Sequence, residues 1–269
     1  MLGHAWVRKC ALLSAAIVAM AAARVGGADT VLITGANSGI GLEFAKQYAA
    51  QGWTVIATHR RETTPRELAE LVSAHDNVRV EKMDVSSVEQ VHALAAKLRG
   101  QPIDLLINNA GIFSFSDWMD ETDRNQVFGT LNYEQFDEFM RINVRGPMLV
   151  SESFIENVKA SKQKKIVMIT STIGTISTPE IAVRAFWYGT SKAALNKATV
   201  TMAEALKDTP VIVVPLHPGS VRVEKQAELH NPGMLETPDS VRLMIATIAK
   251  LNKADSGKFL LYDHSELPW

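Results

Sequence analysis

Short continuous apolar runs alternate along this chain with stretches whose apolar residues recur every three or four positions. Runs at residues 30–33, 54–58, 78–83, 103–107, 165–170, 211–215 and 258–262 have the length of buried strands. Between them, residues 42–51 place Leu42, Phe44, Ala45, Tyr48 and Ala49 on one helical face. Residues 88–98 do the same with Val88, Val91, Leu94, Ala95 and Leu98. Further helices are predicted at 67–74, at 133–158 as one or two pieces, at 188–207 and at 241–251. Apolar strands alternating with amphipathic helices predict an α/β fold with a parallel sheet covered on both faces. No internal repeat or low-complexity linker divides residues 30–269, so one domain is expected. A polar stretch at 114–130 reads as a surface insertion, and 220–240 as a loop-rich lid.

One loop organises the rest. Thr34-Gly35-Ala36-Asn37-Ser38-Gly39-Ile40-Gly41 follows the first strand and opens the first helix. Glycines let backbone turn tightly and approach a pyrophosphate, and the N–H groups of a helix start point at such an anion. A glycine cluster alone marks a tight turn; strand, loop, helix and a second strand in succession mark a nucleotide site.

Composition sets bounds. With 46% apolar residues, 21% charged residues and a net charge of −1, nothing favours nucleic acid or an anionic membrane as partner. The basic run 162–165 is short and reads as a solvated helix end. The single Cys10 excludes an intramolecular disulfide and a cysteine-based metal site, and the seven histidines show no metal-ligand spacing. At the N-terminus, Arg8 and Lys9 precede a wholly apolar or small run from 10 to 23 apart from Ser14, then Ala21-Ala22-Ala23. Residues 1–28 therefore resemble a secretory signal peptide, too short for a span of about 20 apolar residues. Export or membrane association is expected. An organelle presequence or a non-cleaved extension on a cytoplasmic protein is the alternative.

Tyr188 and Lys192 lie four apart on a predicted helix and so project from one face. A tyrosine titrates near 10, and moving it to about 7 for acid–base work needs roughly 4 kcal/mol of preferential phenolate stabilisation. A nearby ammonium is a source of that stabilisation. The spacing also occurs by chance on many helices.

Together, Gly35-x-x-x-Gly39-x-Gly41, Asn108-Asn109-Ala110-Gly111, Ser171 with Gly174, and Tyr188-x-x-x-Lys192 resemble, in order and spacing, the short-chain dehydrogenase/reductases. The resemblance covers essentially all of residues 30–269. His217-Pro218-Gly219 and the stretch from Asp263 to Trp269 look most like the C-factor and sniffer-like carbonyl reductase branch. It implies a Rossmann-type, doubly wound parallel sheet of about seven strands and nicotinamide-dependent chemistry on a carbonyl or alcohol substrate. It implies a homodimer, through the helices carrying Asn143 and Tyr188, or a higher oligomer. Carried over by position, Tyr188 would donate the proton, Lys192 would lower its pKa and hold the ribose, and Ser171 would bond the substrate oxygen. Asn143 would anchor a water relay through Lys192. The cofactor would rest on Gly35, Asn37, Ser38, Gly39, Ile40 and Gly41, on Asp84 and Val85, on Asn109, Ala110 and Gly111, on Pro218, Gly219 and Val221, and against Tyr188 and Lys192 themselves. Plainer roles compete: Ser171 as a turn cap, Asn143 as a helix residue bonding main chain, Asp84 as a strand-end turn residue, and Asn109 to Gly111 as supports of the sheet centre.

Cofactor choice is read after the second strand. NAD(H)-users carry an acid there; NADP(H)-users supply arginine. Here Thr58-His59-Arg60-Arg61 precedes the first acid, Glu62, which favours NADP(H), with Arg60 on the 2′-phosphate and NAD(H) as the alternative. Two departures stand out. The substrate-side loop 172–187 is long, and Val221-Arg222-Val223 replaces the family's Val-x-Thr. Phe186, Trp187, Ile173 and Ile176 read as an apolar substrate entrance or as core. The competing class is a nucleotide-binding regulatory protein with little or no turnover; an epimerase or dehydratase lacks a matching substrate domain.

Overall fold

The computed structural model describes residues 27–113, 125–179, 183–223 and 233–269. The signal-like segment, most of the 114–130 insertion and the middle of the 220–240 stretch lie outside the described residues. The strands are β1 (Thr30–Ile33), β2 (Thr54–His59), β3 (Val78–Lys82), β4 (Leu105–Asn108), β5 (Lys165–Ile169), β6 (Ile212–His217), β7 (Val221–Arg222), β8 (Leu235–Glu236) and β9 (Leu260–Leu261). The helices are α1 (Gly39–Ala50), α2 (Arg66–Ala74), α3 (Val88–Lys97), α4 (Tyr133–Met140), α5 (Gly146–Ser153), α6 (Ile155–Lys159), α7 (Phe186–Ala205) and α8 (Thr237–Lys250).

A seven-stranded sheet runs β3-β2-β1-β4-β5-β6-β9 with every pairing parallel. β1, β4, β5 and β6 are buried along their whole length, which is why they read as unbroken apolar runs. β3, at the sheet edge, mixes buried Val78 and Glu81 with exposed Arg79 and Lys82. Successive side chains face opposite sides. Val31, Ile33, Ile107 and Val167 pack against α1 and α8 through Phe44, Tyr48, Val241 and Met244. Leu32, Ile56, Leu106 and Met168 pack the other way, against Val91, Leu94, Val150 and Leu195. This is the doubly wound, Rossmann-type single domain that the pattern predicted.

Some boundaries differ from the expectation, each for a local reason. β4 begins at Leu105 because the main chain of Ile103 donates to Asn157 rather than to the sheet. α1 begins at Gly39, since glycines depress helical periodicity without preventing a helix start. The predicted helix 133–158 is α4, α5 and α6, with a π-helical turn, Arg141–Arg145, between α4 and α5. The lid candidate is bounded by a two-residue parallel ladder, β7 to β8, and α8 starts inside it with Pro238 in its first turn. No described helix is long and apolar enough to cross a membrane.

Asp104, just before β4, ties together the N-terminal ends of the central strands. Its buried carboxylate accepts from the main-chain N–H of Thr30 at 2.9 Å, of Lys162 at 3.0 Å and of Gln163 at 3.2 Å. Asp104→Ala leaves those donors without an acceptor and is expected to destabilise the fold by about 2–4 kcal/mol. Urea unfolding with an unchanged m-value checks this; a midpoint like the wild type's would contradict it.

Candidate active site

All strands of the sheet point the same way, so their C-terminal ends gather the loops that follow them. Between β1 and β4 the strand order reverses, and the crevice opens there. Gly35 and Gly39 both adopt left-handed backbone, at φ 65° and 54°. At Gly35 a Cβ would lie 2.8 Å from the Cα of Ala110. At Gly41 it would collide with the Asn109 side chain and the Gly35 carbonyl. The loop is fastened to the end of β4. Thr34 Oγ1 accepts from the N–H groups of Asn109 and Ala110, each at 3.0 Å. The Asn109 amide donates back to the carbonyls of Thr34 at 3.0 Å and Gly35 at 3.2 Å. Asn109 thus supports the sheet centre, and Ala110 is the surface against which the glycine turn rests.

The start of α1 suits an anion. Ser38 makes no side-chain cap, Asn37 donates only to the Ser38 hydroxyl at 3.2 Å, and no acidic residue sits in the first turn. Ile40 is half-buried and packs on the α1-side core. After β2, Arg60 and Arg61 are exposed, and neither pairs with an acid among the described residues. Glu62 is held by Lys82 at 2.6 Å, which neutralises the first acid of this loop. Buried Thr58 Oγ1 and His59 Nδ1 have no partner among the described residues. The helix start without a Ser38 side-chain cap or a first-turn acid, the glycine turn and the exposed arginines fit a phosphorylated dinucleotide.

Asp84, after β3, accepts from Ser86 N–H at 2.8 Å, and its own N–H donates to Gln90 at 2.9 Å. Its carboxylate therefore shapes a turn at the end of β3. Val85 is buried under Gly146, where a Cβ would lie 2.9 Å from its Cγ2. After β6, the Pro218 carbonyl accepts from the buried Ser240 hydroxyl at 2.7 Å. Gly219, at φ 83°, leaves room only for the Tyr262 ring. Val221 pairs with Leu235.

Opposite lie the groups that can move a proton. Gly174 closes the short turn Thr172–Gly174 directly on α7: a Cβ there would lie 2.6 Å from the Lys192 carbonyl carbon and 2.7 Å from Ala193 N. This contact brings the β5 end to the face of α7 that carries Tyr188 and Lys192. Ser171 Oγ accepts from Ile173 N–H at 3.2 Å, and its hydroxyl beside the Tyr188 phenol favours the ionised form of that phenol, so it is both turn cap and site residue. Lys192 Nζ stands 5.6 Å from the centre of the Tyr188 ring and donates to the Ile169 carbonyl at 2.9 Å. Burial pushes the Tyr188 phenol up to about 12, the Ser171 hydrogen bond partly opposing it, and lowers the Lys192 ammonium to about 8. Edges of Phe113 and Phe139 flank the tyrosine ring, with centroids 4.7 Å and 6.3 Å away.

Asn143 sits in the π-helical turn. Its amide donates to the Ile112 carbonyl and the Ser191 hydroxyl, both at 3.0 Å, and its oxygen accepts from Ile112 N–H at 2.8 Å. Ser191, fully buried, donates in turn to the Tyr188 carbonyl at 2.7 Å. Gly111 lies between, with Asn143 Oδ1 3.2 Å and Lys192 Nζ 3.8 Å from where its Cβ would be. Sequence reasoning missed Ser191 and the Phe113 and Phe139 edges, whose residue types carry no signal of their own. It also missed His217, which is held neutral by burial at about 4 and shares a 3.3 Å hydrogen bond with Thr172 Oγ1 on the turn behind Ser171.

The expected apolar entrance is only partly found. Ile173 and Phe186 line a cavity of about 360 Å³ with Phe128, Pro179 and Val183, but its α7 wall is Gly189, Thr190 and Ala193, not Tyr188. Ile176 is exposed. Trp187 is core, packed on Tyr133 and Phe136, because its indole N–H finds the Asn132 carbonyl at 2.8 Å. Among the described residues, no cluster of His, Cys, Asp or Glu is arranged to hold a metal.

A parallel sheet with a glycine loop at its switch point and a Ser–Tyr–Lys group facing it defines a nucleotide-binding oxidoreductase class. Residues 29–232 match the short chain dehydrogenase family, and the chain belongs to it. It is 32% identical to an uncharacterized oxidoreductase of Schizosaccharomyces pombe over 256 residues, 88% of this chain and 96% of that protein. It is 32% identical to the C-signal protein of Myxococcus xanthus over 180 residues, 66% of this chain and all of that one. The NADPH-bound carbonyl reductase from chicken fatty liver superposes with a TM-score of 0.81 at 29% identity, covering 90% of this chain and 94% of that one. The carbonyl reductase Sniffer of D. melanogaster shares the fold at a TM-score of 0.79 and 24% identity, covering 90% and 100%.

Lys192 gives a pH test of the free protein. Its folded pKa lies below its unfolded one, so burying the ammonium costs stability at neutral pH, and that cost is relieved as pH rises from about 8 towards 10.5. Relative to Lys192→Met, the wild type is expected to gain about 1–3 kcal/mol between pH 7 and 10. Parallel pH profiles in urea unfolding would contradict the assignment.

Proposed function

We propose that this chain reduces an aldehyde or ketone with NADPH, reversibly, with Tyr188 as the general acid and base. The observation that carries the reading is the packing of the Ser171–Gly174 turn on the helix of Tyr188, with the Lys192 Nζ 5.6 Å from the centre of the tyrosine ring. A nicotinamide bound in the crevice supplies or accepts the hydride. Burial holds Tyr188 above its usual pKa, the opposite of the lowering by Lys192 that was expected, so it is a phenol throughout the neutral range and has a proton to give. The neighbouring ammonium favours the phenolate that proton transfer leaves. Ser171, already directed at the phenol oxygen, holds the substrate oxygen next to the same proton. Asn143 has both amide hydrogens engaged, on Ile112 and on Ser191, so it braces the Ile112 loop against α7.

Preference for NADP(H) rests on Arg60 and Arg61, free of acidic partners among the described residues, and on Glu62 being tied to Lys82. The NADPH in the chicken carbonyl reductase supports the same choice. A homodimer through the helices carrying Asn143 and Tyr188 belongs to the proposal, and light scattering of the purified chain tests it. So does an export- or membrane-directing role for residues 1–28, which intact-mass measurement of protein recovered from its host would reveal as a shortened chain.

Tyr188→Phe is expected to lower the turnover of NADPH with a panel of aldehydes, ketones and quinones by about 10²–10⁴-fold while leaving NADPH binding intact. Arg60→Ala is expected to weaken NADPH about tenfold and NADH little, because only the former offers a 2′-phosphate to the guanidinium. Fluorescence titration and initial rates read both. Tight NADPH binding by the wild type with no carbonyl reduced would favour the regulatory reading, which its relative the C-signal protein keeps in view.

A further inference from the structure

The helix that carries Tyr188 has no cap of its own. Ala185, at its N-cap position, offers no side-chain acceptor, and no acidic residue sits in its first turn. Main-chain N–H groups at a helix start need partners, and leaving them unmet frays the first turn. Here the partners come from about 60 residues earlier in the chain. Gln126, 1% exposed, accepts from the Tyr188 N–H on its side-chain Oε1 at 3.0 Å. Its main-chain carbonyl accepts from Phe186 N–H at 3.2 Å. Nearby, the Asn132 carbonyl takes the Trp187 indole N–H, and the Asn132 side chain caps α4 by accepting from Glu134 N–H at 3.0 Å. Asn132 N–H in turn donates to the Asn125 carbonyl at 2.9 Å, closing the stretch on itself. Three consecutive residues of the active-site helix, Phe186, Trp187 and Tyr188, are thus each held by residues 126–132.

We propose that Gln126 is a positioning residue for Tyr188, capping the active-site helix from a distant segment and fixing where the phenol meets Ser171. The inference rests on the reading of Tyr188 as the acid. The stretch that the sequence presents as a surface insertion is, at its C-terminal end, part of the catalytic framework. Tyr188 sits within the first turn of α7, the turn most prone to fray, whereas Lys192 lies a turn further in and is anchored separately to Ile169. Losing the cap therefore moves Tyr188 relative to Ser171 and leaves Lys192 and the glycine loop in place. A displacement of that kind acts on the chemical step more than on cofactor binding.

The test compares the full chain with Gln126→Ala and Gln126→Glu, beside Tyr188→Phe. Gln126→Ala is expected to lower kcat about tenfold with the KM for NADPH unchanged, and Gln126→Glu, which keeps an acceptor at the same reach, to recover most of that loss. Amide hydrogen exchange reads the cap without any turnover: the 183–192 region should exchange about fivefold faster in Gln126→Ala, and near the wild-type rate in Gln126→Glu. Should Gln126→Glu not fold, exchange and kcat in Gln126→Ala decide alone. Wild-type kcat and wild-type exchange in Gln126→Ala, with Tyr188→Phe inactive, would overturn the cap while leaving the reductase reading intact. Full turnover in Tyr188→Phe would instead overturn the reading on which it rests. Equal losses in the alanine and glutamate variants would mean that Gln126 acts through packing, which also overturns the proposal.

Discussion

The arrangement of the candidate site depends on the close packing of two backbones, the turn after β5 and the first half of α7. The turn after β5 lies so near the main chain of α7 that only a glycine fits at position 174. Separate that turn from the helix by the width of a methyl group, and Ser171 no longer reaches the Tyr188 phenol. Because β5 is central and buried on both faces, the strand cannot shift to compensate, and any displacement would fall on the site. Lys192 reinforces the same junction from the helix side, its ammonium tied to the Ile169 carbonyl at the end of β5. Strand, turn and helix are therefore packed together around Tyr188.

The opposite half of the crevice is built by the same rule with other residues. There the glycine turn rests on Ala110, and Thr34 and Asn109 exchange hydrogen bonds across the strand-order reversal. Neither contact needs a ligand to hold it, so the crevice is formed in the free chain. Electrostatics then divide the work. The glycine-loop side has a helix start with no acidic residue in its first turn and exposed arginines nearby, whereas the Tyr188 side is buried, with a neutral phenol, an ammonium lowered to about 8 and a neutral His217.

Much of this was legible beforehand because buried parallel strands leave continuous apolar runs and because glycine positions are dictated by contacts that no other residue permits. The sheet, the loop 34–41 and the pairing of Tyr188 with Lys192 all came from such local signals. Less visible were features that depend on distant partners. Trp187 looks like any aromatic at an entrance until Asn132 appears beside its indole. Asn143 looks like a free polar site residue until Ile112 and Ser191 engage its amide. Asp84 is shaped by Ser86 two residues on, a turn that the sequence equally permitted. Gln126 gave no signal at all, because a cap supplied by another segment has no spacing to recognise.

The proposed function joins these elements: a nicotinamide held at the glycine loop would supply the hydride and Tyr188 the proton to one carbonyl between them. The most direct measurement uses NADPH carrying deuterium at C4 of the nicotinamide, first on one face and then on the other, with a carbonyl compound that the enzyme turns over. Deuterium transferred to the carbinol carbon of the product from one face only is the predicted result. Product without deuterium from either labelled form, or deuterium arriving equally from both faces, would contradict it.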